Sequence, residues 1–286
     1  MKKKSSLKHT GAFWAFCAPC CILFGVFFLV PLVLSIAFSF TNYDGWKTID
    51  FVGLTNYITL FKDSKFYLSL GRTLLYTVCT LPFRVIIPLL VAVLLCSKRV
   101  AGKSLTRTMV YIPVLMSALV VGITINWMFS QEYGLVNFII RSLGGTALEW
   151  SLNPRLATFV IAFASVWASI GFNMILYIGG INSISNDLYE AATIDGASGA
   201  QAFFRITVPM LAPTTFMVVL LSTVNLLKEY ALVQGITQGG PGLSTTFIIQ
   251  YIFDKGFNQM QYGYASAIST VVMIIFALIA FAQFKV

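Results

Sequence analysis

The sequence is poor in charged residues and has almost no histidine. Of its 286 residues, 10% are charged and 58% are hydrophobic, and the mean hydropathy is +0.84. An ordinary soluble domain has roughly 25% charged residues, so this composition excludes that class and indicates a polytopic membrane protein. The single histidine, His9, lies in the basic N-terminal segment, which argues against a histidine-based catalytic triad or zinc site.

Neither the cysteines nor the basic charge predicts a ligand. Cys17, Cys20 and Cys21 have a spacing found in metal sites, but they lie in an apolar run without a nearby histidine. We therefore expect them to be small, buried apolar side chains and predict no metal site. The formal net charge is +9, and the basic residues lie at the ends of apolar runs. This distribution is typical of membrane topology rather than of nucleic-acid binding.

Six apolar runs are long enough to cross the roughly 30 Å bilayer core as helices. They are residues 12–38, 73–96, 109–129, 157–180, 207–227 and 264–284. The sequence therefore predicts an all-α polytopic membrane protein with six transmembrane helices, in which residues 1–286 form a single transmembrane domain. Residues 247–253 are apolar but too short to cross, and we expect a buried or interfacial segment there.

Lysine and arginine at the ends of these runs predict the orientation. Basic residues without an intervening acid precede the first run and fill the second connection: Lys2, Lys3, Lys4 and Lys8, then Lys98, Arg99, Lys103 and Arg107. By the positive-inside rule both segments are cytoplasmic. With six spans, both termini and the connection between the fourth and fifth spans are then also cytoplasmic.

That connection, residues 187–210, has the pattern of a helix, a turn and a second helix. Asp187 is expected to cap the first helix, with Glu190 three residues later completing a capping box. Gly196 is expected to end this helix, and Ser198 to cap the next one. Its small residues would let another protein surface approach closely. A plain interhelical connector would have the same pattern, so the residues alone leave both readings open.

The pattern E-A-A-x-x-D-G-A, followed by F-x-x-I-x-x-P-x-L-x-P, resembles the EAA loop of binding-protein-dependent ABC importer permeases. The residues that match and are expected to contact the ATPase are Glu190, Ala191, Ala192, Asp195, Gly196, Ala197 and Phe203. Val208 stands where the family usually has leucine. The stretches FVGLTNYITLF (51–61), GGPGLSTT (239–246) and YGYASA (262–267) are similar to the carbohydrate-importer type, which includes the larger maltose permease subunit and the glycerol-3-phosphate permease.

The resemblance implies the type I ABC importer permease fold and a non-catalytic subunit for carbohydrate import in the bacterial cytoplasmic membrane. It further implies a second, related permease, two ATPase subunits that hold ATP and Mg, and an extracytoplasmic solute-binding protein. The nearest phosphate-loop match in this chain, AGKS at 101–104, has Ser97 where the first glycine is required. We therefore expect no cofactor on this chain and residues 187–210 to act as a cytoplasmic coupling loop.

Polar residues inside the predicted spans mark a candidate solute path, because they are costly in a bilayer. Two groups fall at helical spacing: Ser165, Ser169, Phe172 and Asn173 in the fourth span, and Ser222, Asn225 and Glu229 in the fifth. Hydroxyls, amides, a carboxylate and a ring suit a polyol. The resemblance implies sugar contacts for all of them except Asn173. Hydrogen bonding between helices is the alternative, above all for the serines.

Two basic residues and one rival function remain open. Arg84 lies inside the second span, where it would either pair with an acid such as Glu229 or meet an anionic substrate. Lys228 lies near the end of the fifth span and could extend its amine to the interface. The alternative function is a secondary transporter or channel, which would predict inverted repeats or broken helices with coordinating carboxylates. The sequence shows no repeat.

Overall fold

The structure is a computed structural model that describes residues 4–46, 49–97 and 102–285, with side chains from Phe13 onward. Four basic residues used to predict the orientation, and one residue of the phosphate-loop match, lie outside the described residues: Lys2, Lys3, Lys98, Arg99 and Ala101. Throughout the described ranges the chain is helical between its loops, and its β-structure is one isolated bridge between Thr41 and Phe51.

The described α-helices are numbered in chain order. They are α1 (Lys4–Phe24), α2 (Val30–Phe38), α3 (Thr55–Lys62), α4 (Ser64–Cys96), α5 (Lys103–Tyr111), α6 (Ala118–Met128), α7 (Leu135–Ser142), α8 (Pro154–Asn182), α9 (Asn186–Ile194), α10 (Gly199–Ala202), α11 (Val208–Met210), α12 (Ala212–Leu227), α13 (Ala231–Ile236), α14 (Ile248–Phe253) and α15 (Tyr262–Phe284). Single π-helical turns at Gly25–Leu29, Phe203–Thr207 and Asp254–Asn258 and a 3₁₀ turn at Ile112–Leu115 connect neighbouring helices.

Four of the six predicted spans are continuous helical segments. They are Phe13–Phe38 (α1, its π turn and α2), α4, α8 and α15, each apolar and long enough to cross a membrane. The short apolar segment forms α14, where Ile248 and Tyr251 are buried, as expected for a segment that does not cross.

The third and fifth predicted spans are present as bent pairs of helices. Lys103–Leu115 meets α6 at 101°, and Gly199–Met210 meets α12 at 65°. At the first bend Met116 has an extended backbone, with φ −85° and ψ 144°, directly after the turn that contains Pro113. At the second bend Pro213 occupies the first turn of α12, where its missing N–H costs nothing. Each bend therefore lies where a proline ends one helix or begins the next.

The chain divides into two compact units. The first unit comprises Met1–Ser64 and Ile252–Ala277. Within it, Asn56 Nδ2 donates to the carbonyls of Ser39 (2.9 Å) and Thr41 (2.8 Å), and Tyr264 donates to Asp63 Oδ2 at 2.7 Å. These bonds tie the loop after the first span to α3 and to the start of α15.

None of the apolar window of the first span is buried. Cys20 and Cys21 are exposed and Cys17 is half-buried, so the prediction that these cysteines are buried is wrong. An apolar run in a membrane protein needs no cover from protein, because lipid tails are as apolar as its side chains.

The second unit, Lys65–Tyr251 with Leu278–Val286, holds two buried hydrophobic clusters. One gathers around Tyr76, Ile161 and Phe247, and the other around Tyr177 and Leu211. Since α8 contributes to both, it is the central helix of this unit. The helices α6 and α13 cross at two glycines, and a Cβ at Gly122 would lie 3.0 Å from the Cα of Gly235. That closeness requires glycine.

Candidate functional site

The first helix of the EAA loop begins two residues earlier than a cap at Asp187 would allow. Ser185 is the N-cap of α9, with an extended backbone (φ −62°, ψ 135°), and its Oγ accepts a hydrogen bond from the Asp187 N–H at 3.2 Å. The predicted capping box of Asp187 and Glu190 is therefore wrong. Asp187 lies in the first turn, where its charge interacts favourably with the helix dipole. Glu190 points outward from the exposed surface of α9.

The turn and the second helix form as predicted. Gly196 follows α9 with φ +74°, a left-handed conformation that favours glycine, and the Ala197 N–H donates to the Ala192 carbonyl at 2.8 Å. Ser198 then caps α10 in a complete capping box: its Oγ accepts from Gln201 N at 3.3 Å, and its N–H donates to Gln201 Oε1 at 2.7 Å. These bonds fix the angle between the two helices without help from any partner.

Exposure divides the predicted coupling residues into two groups. Glu190, Ala191, Asp195 and Gly196 are exposed, whereas Ala192, Ala197 and Phe203 are half-buried.

Three exposed apolar side chains of the loop were not predicted as coupling residues. Ile194 is 86% exposed, Phe204 is 68% exposed and Leu188 is 42% exposed. Phe204 packs edge-on against Phe203, with ring centroids 4.9 Å apart. Large apolar side chains in a capped segment rich in small residues were the signal that could have identified them.

The loop is attached to the second hydrophobic cluster. The hydroxyls of Tyr189 and Thr207 share a hydrogen bond of 2.9 Å, which joins α9 to the π turn before α11. Tyr189 and Ile206 pack against the cluster around Tyr177 and Leu211. The loop therefore has a rigid base and an exposed apolar tip.

Three of the predicted path residues form one buried network with Arg84, which we call the three-helix network because it joins α4, α8 and α12. Arg84 Nη2 donates to the carbonyl (3.0 Å) and Oγ (2.8 Å) of Ser165. Asn173 Nδ2 donates to the Arg84 carbonyl at 2.9 Å and to Ser222 Oγ at 3.2 Å. Ser165, Asn173 and Ser222 are each at most 3% exposed. Their hydrogen bonds thus join helices.

The other predicted path residues lie outside this network. Ser169 is half-buried and donates to the Val166 carbonyl of its own helix at 2.9 Å. Phe172 is 43% exposed, and Asn225 is also exposed.

Glu229 does not share a helical face with Ser222 and Asn225, contrary to the prediction. Its helix, α12, ends at Leu227 with Lys228 as the C-cap, so helical spacing no longer applies at position 229. Instead, Glu229 Oε1 lies 3.4 Å from the Leu232 N–H at the start of α13. The break in the helix places this carboxylate between two helices, and Lys228 is exposed.

The hydrogen bonds that the structure shows for Arg84 go to Ser165 rather than to a carboxylate. Arg84 and Glu229 are nevertheless close enough to interact electrostatically. Within the described residues, Arg84 Nε and Thr80 Oγ1 are buried without a hydrogen-bond partner. Tyr76, Thr80 and Arg84 follow at intervals of four on one face of α4, and all are buried. That spacing was the signal in the sequence for a polar stripe that was not predicted.

Fold and site together define a class: a polytopic helical membrane protein with buried polar residues between its spans and a rigid, exposed loop between two of them. Among the described residues, no group of three or more His, Cys, Asp or Glu side chains could hold a metal ion. The family described as "binding-protein-dependent transport system inner membrane component" matches residues 57–285, and the chain belongs to this family. It is therefore a permease subunit of an ABC importer and not an enzyme, since in this family the ATPase is a separate subunit.

Curated relatives cover almost the whole chain. The arabinooligosaccharides transport system permease protein AraP of Bacillus subtilis (strain 168) is 32% identical over 277 residues, 95% of this chain and 87% of that protein. The multiple sugar-binding transport system permease protein MsmF of Streptococcus mutans is 33% identical over 277 residues, 95% of this chain and 93% of that protein. The probable ABC transporter permease protein YesP of Bacillus subtilis is 32% identical over 292 residues, covering 100% of this chain and 93% of that protein.

Among solved structures, a chain of a bacterial ABC transporter involved in the import of the acidic polysaccharide alginate has the same fold. Its TM-score is 0.85 at 23% identity, and the match covers 98% of this chain and 96% of that one. The predicted importer permease fold is thereby confirmed. Broken helices were also expected for the alternative, a secondary transporter, but here the two bent spans belong to an ABC importer permease.

Proposed function

We propose that this chain carries an oligosaccharide or sugar derivative across the membrane as one permease of an ATP-driven ABC importer, in which residues 1–286 act as a single permease domain. The names of AraP and MsmF assign sugars to those relatives, and both match over 95% of this chain. The observation that carries the proposal is the EAA loop. It is capped at both helices, fixed at its base and apolar at its tip, which suits a segment that transmits force to the spans.

The loop is proposed to insert into a groove of the ATPase. Exposed Ile194 and Phe204 would supply the apolar contact, and Glu190 a charged one. Ala191 and Gly196 leave space for close approach, since neither has a side chain larger than methyl. Ala192, Ala197 and Phe203 are half-buried, and we assign to them the support of this surface. Asp195, the C-cap of α9, lies at its exposed edge.

The complete importer is proposed to contain a second, related permease, two ATPase subunits with ATP and Mg, and an extracytoplasmic solute-binding protein. Both termini and the EAA loop would then lie on the cytoplasmic side. A solved alginate transporter, whose permease chain shares this fold, is in complex with a periplasmic protein bound to alginate pentasaccharide. Delivery of solute from the outside, with ATP hydrolysis inside, would drive alternating access.

We assign the seven path residues two roles. Phe172 and Asn225, which are exposed, and Ser169 and Glu229, which are half-buried, would meet the sugar. A ring, an amide, a hydroxyl and a carboxylate together can stack on a sugar face and bind its hydroxyls.

Ser165, Asn173 and Ser222 would hold the helices behind this surface in register. Their hydrogen bonds already connect α4, α8 and α12. This role follows from burial, because side chains that are at most 3% exposed cannot reach a solute without rearrangement of the helices.

The test is uptake of a panel of labelled sugars by proteoliposomes that contain the complete importer. Glu190→Lys should abolish uptake and the stimulation of ATP hydrolysis by the binding protein, while the variant still inserts. Glu132→Lys, an equal charge reversal at an exposed site outside the EAA loop, should retain both. Normal uptake by Glu190→Lys would refute coupling through this loop. Failure of the wild-type importer to take up any sugar on the panel would refute the carbohydrate assignment.

A further inference from the structure

A groove of about 750 Å³ runs between α4 and the N-terminal half of α8. Its walls carry large apolar side chains that are exposed to the outside: Leu75 and Phe83 on α4, Phe159 and Phe163 on α8. The predicted path residues are not part of its lining. In a membrane protein such a groove is filled by a lipid or by another helix.

Two arginines stand at one end of the groove. Arg72 directly precedes the second predicted span, and Arg155 precedes the fourth by two residues. Second and fourth spans start on the same side of the membrane, so both side chains lie at the same interface. Arg72 Nη1 donates to the Leu243 carbonyl, a neutral acceptor. Among the described residues that line the groove there is no Asp or Glu, so its lining leaves the two positive charges uncompensated.

The groove is long enough to hold a lipid chain. From Arg72 to Ile87, the last lining residue on α4, the helix rises about 22 Å. One leaflet of the hydrocarbon core is about 15 Å thick. The groove therefore crosses one leaflet and extends about 7 Å past the middle of the bilayer, with charge at the interfacial end and apolar side chains along the rest.

We propose that this groove binds an anionic phospholipid, whose phosphate contacts Arg72 and Arg155 and whose acyl chain lies along Phe83, Phe159 and Phe163. Basic side chains at the membrane surface attract anionic lipid headgroups, and guanidinium groups suit phosphate geometry. An apolar helix of a partner subunit would fill the same volume but would leave both arginines without a counter-charge. The charge at the groove end therefore favours the lipid. The proposal stands independently of which solute is transported.

The experiment uses the full-length chain, alone and with its second permease, in phosphatidylcholine nanodiscs. Each sample contains a trace of phosphatidylglycerol or phosphatidylcholine with a photoreactive group in the acyl chain, and cross-linked peptides are quantified by mass spectrometry. Each arginine is expected to contribute about a five-fold preference for the anionic probe, about thirty-fold together. Peptides with Phe83, Phe159 or Phe163 should carry that preference.

Arg72→Gln and Arg155→Gln together should reduce the preference to about one, and Arg155→Gln alone should reduce it about five-fold. Glutamine at position 72 keeps a donor for the Leu243 carbonyl, which separates the loss of charge from the loss of this bond. Lys62→Gln removes an exposed charge at the end of α3, outside the groove, and should leave the preference unchanged. Equal labelling by both probes, a preference that survives in the double variant, or loss of lipid labelling when the second permease is present would each overturn the proposal.

Discussion

A substitution at Gly196 tests whether the shape of the EAA loop matters for coupling. Gly196 has φ +74°, and a Cβ built there has no other atom within 4 Å. A side chain at this position therefore meets no steric obstacle, and its cost comes from the backbone alone. For a residue other than glycine the left-handed conformation costs about 1–2 kcal/mol, and a β-branched residue is the least tolerated.

In Gly196→Val the turn is expected to relax out of this conformation. A cost of about 1–2 kcal/mol lowers the population of the native loop by about five- to thirty-fold relative to its relaxed forms. The half-saturating concentration of ATPase subunit in reconstituted, binding-protein-stimulated ATP hydrolysis should rise by up to the same factor, because the apparent affinity scales with the fraction of loops in the native conformation. Gly196→Asn should change it much less, since asparagine tolerates the left-handed region better than other side chains.

Gly199→Ala is the matched control in the same loop. Gly199 is the first residue of α10, is not among the residues with positive φ, and likewise has no atom within 4 Å of a built Cβ. Its effect on ATPase affinity should be below two-fold, which at about 0.4 kcal/mol is within the usual range for surface substitutions. If Gly196→Val, Gly196→Asn and Gly199→Ala all gave the same half-saturating concentration of ATPase subunit, the fixed geometry of the turn would not be what the ATPase recognises.

Three further predictions concern the spans. Glu229→Ala should raise the KM for uptake about ten- to hundred-fold, because a charged hydrogen bond to the sugar is lost, while basal ATP hydrolysis is retained. An unchanged KM across the sugar panel would show that Glu229 is not part of the solute path. Arg84→Met should lower the unfolding free energy by about 1 kcal/mol, because it removes two interhelical hydrogen bonds of about 0.6 kcal/mol each. A loss of several kcal/mol, measured by thermal unfolding, would contradict this. The Gly122→Ala variant should have an unfolding free energy about 1–3 kcal/mol lower than that of the Gly179→Ala variant. The reason is that a Cβ at position 122 meets backbone at 3.0 Å, whereas a Cβ at position 179 has no atom within 4 Å. Equal melting temperatures would refute the close crossing of α6 and α13.

The number and position of the spans could be predicted because hydrophobic length is a local property of the sequence. Four predicted runs are continuous helical segments in the structure. The bends at Met116 and Leu211 could not be predicted, since prolines also occur inside a continuous helix of this chain: Pro82 and Pro88 lie within α4 without ending it. Whether a proline breaks a helix depends on which neighbours satisfy the freed carbonyls, and that is a property of packing.

The candidate site shows the same limit on a smaller scale. The glycine turn and the Ser198 cap follow from local rules, and both formed as predicted. Asp187 was a good capping residue by type, but Ser185 Oγ accepts from the Asp187 N–H in the first turn of α9 and so takes that role. Helical spacing assigned Glu229 to one face with Ser222, and this failed because the sequence gives no strong stop signal at Leu227.

The central helix α8 connects the two parts of the proposed mechanism. Tyr177 belongs to the cluster that supports the base of the EAA loop, and Asn173, one turn earlier, donates to both Arg84 and Ser222. These two residues of α8 are about 6 Å apart along the helix axis. A displacement of the loop base by the ATPase would therefore reach the three-helix network through a single rigid turn, and α4 and α12 would move with it or lose hydrogen bonds. Breaking those bonds would cost about 0.6 kcal/mol each with nothing gained in return, so joint movement of the three helices is the favoured response.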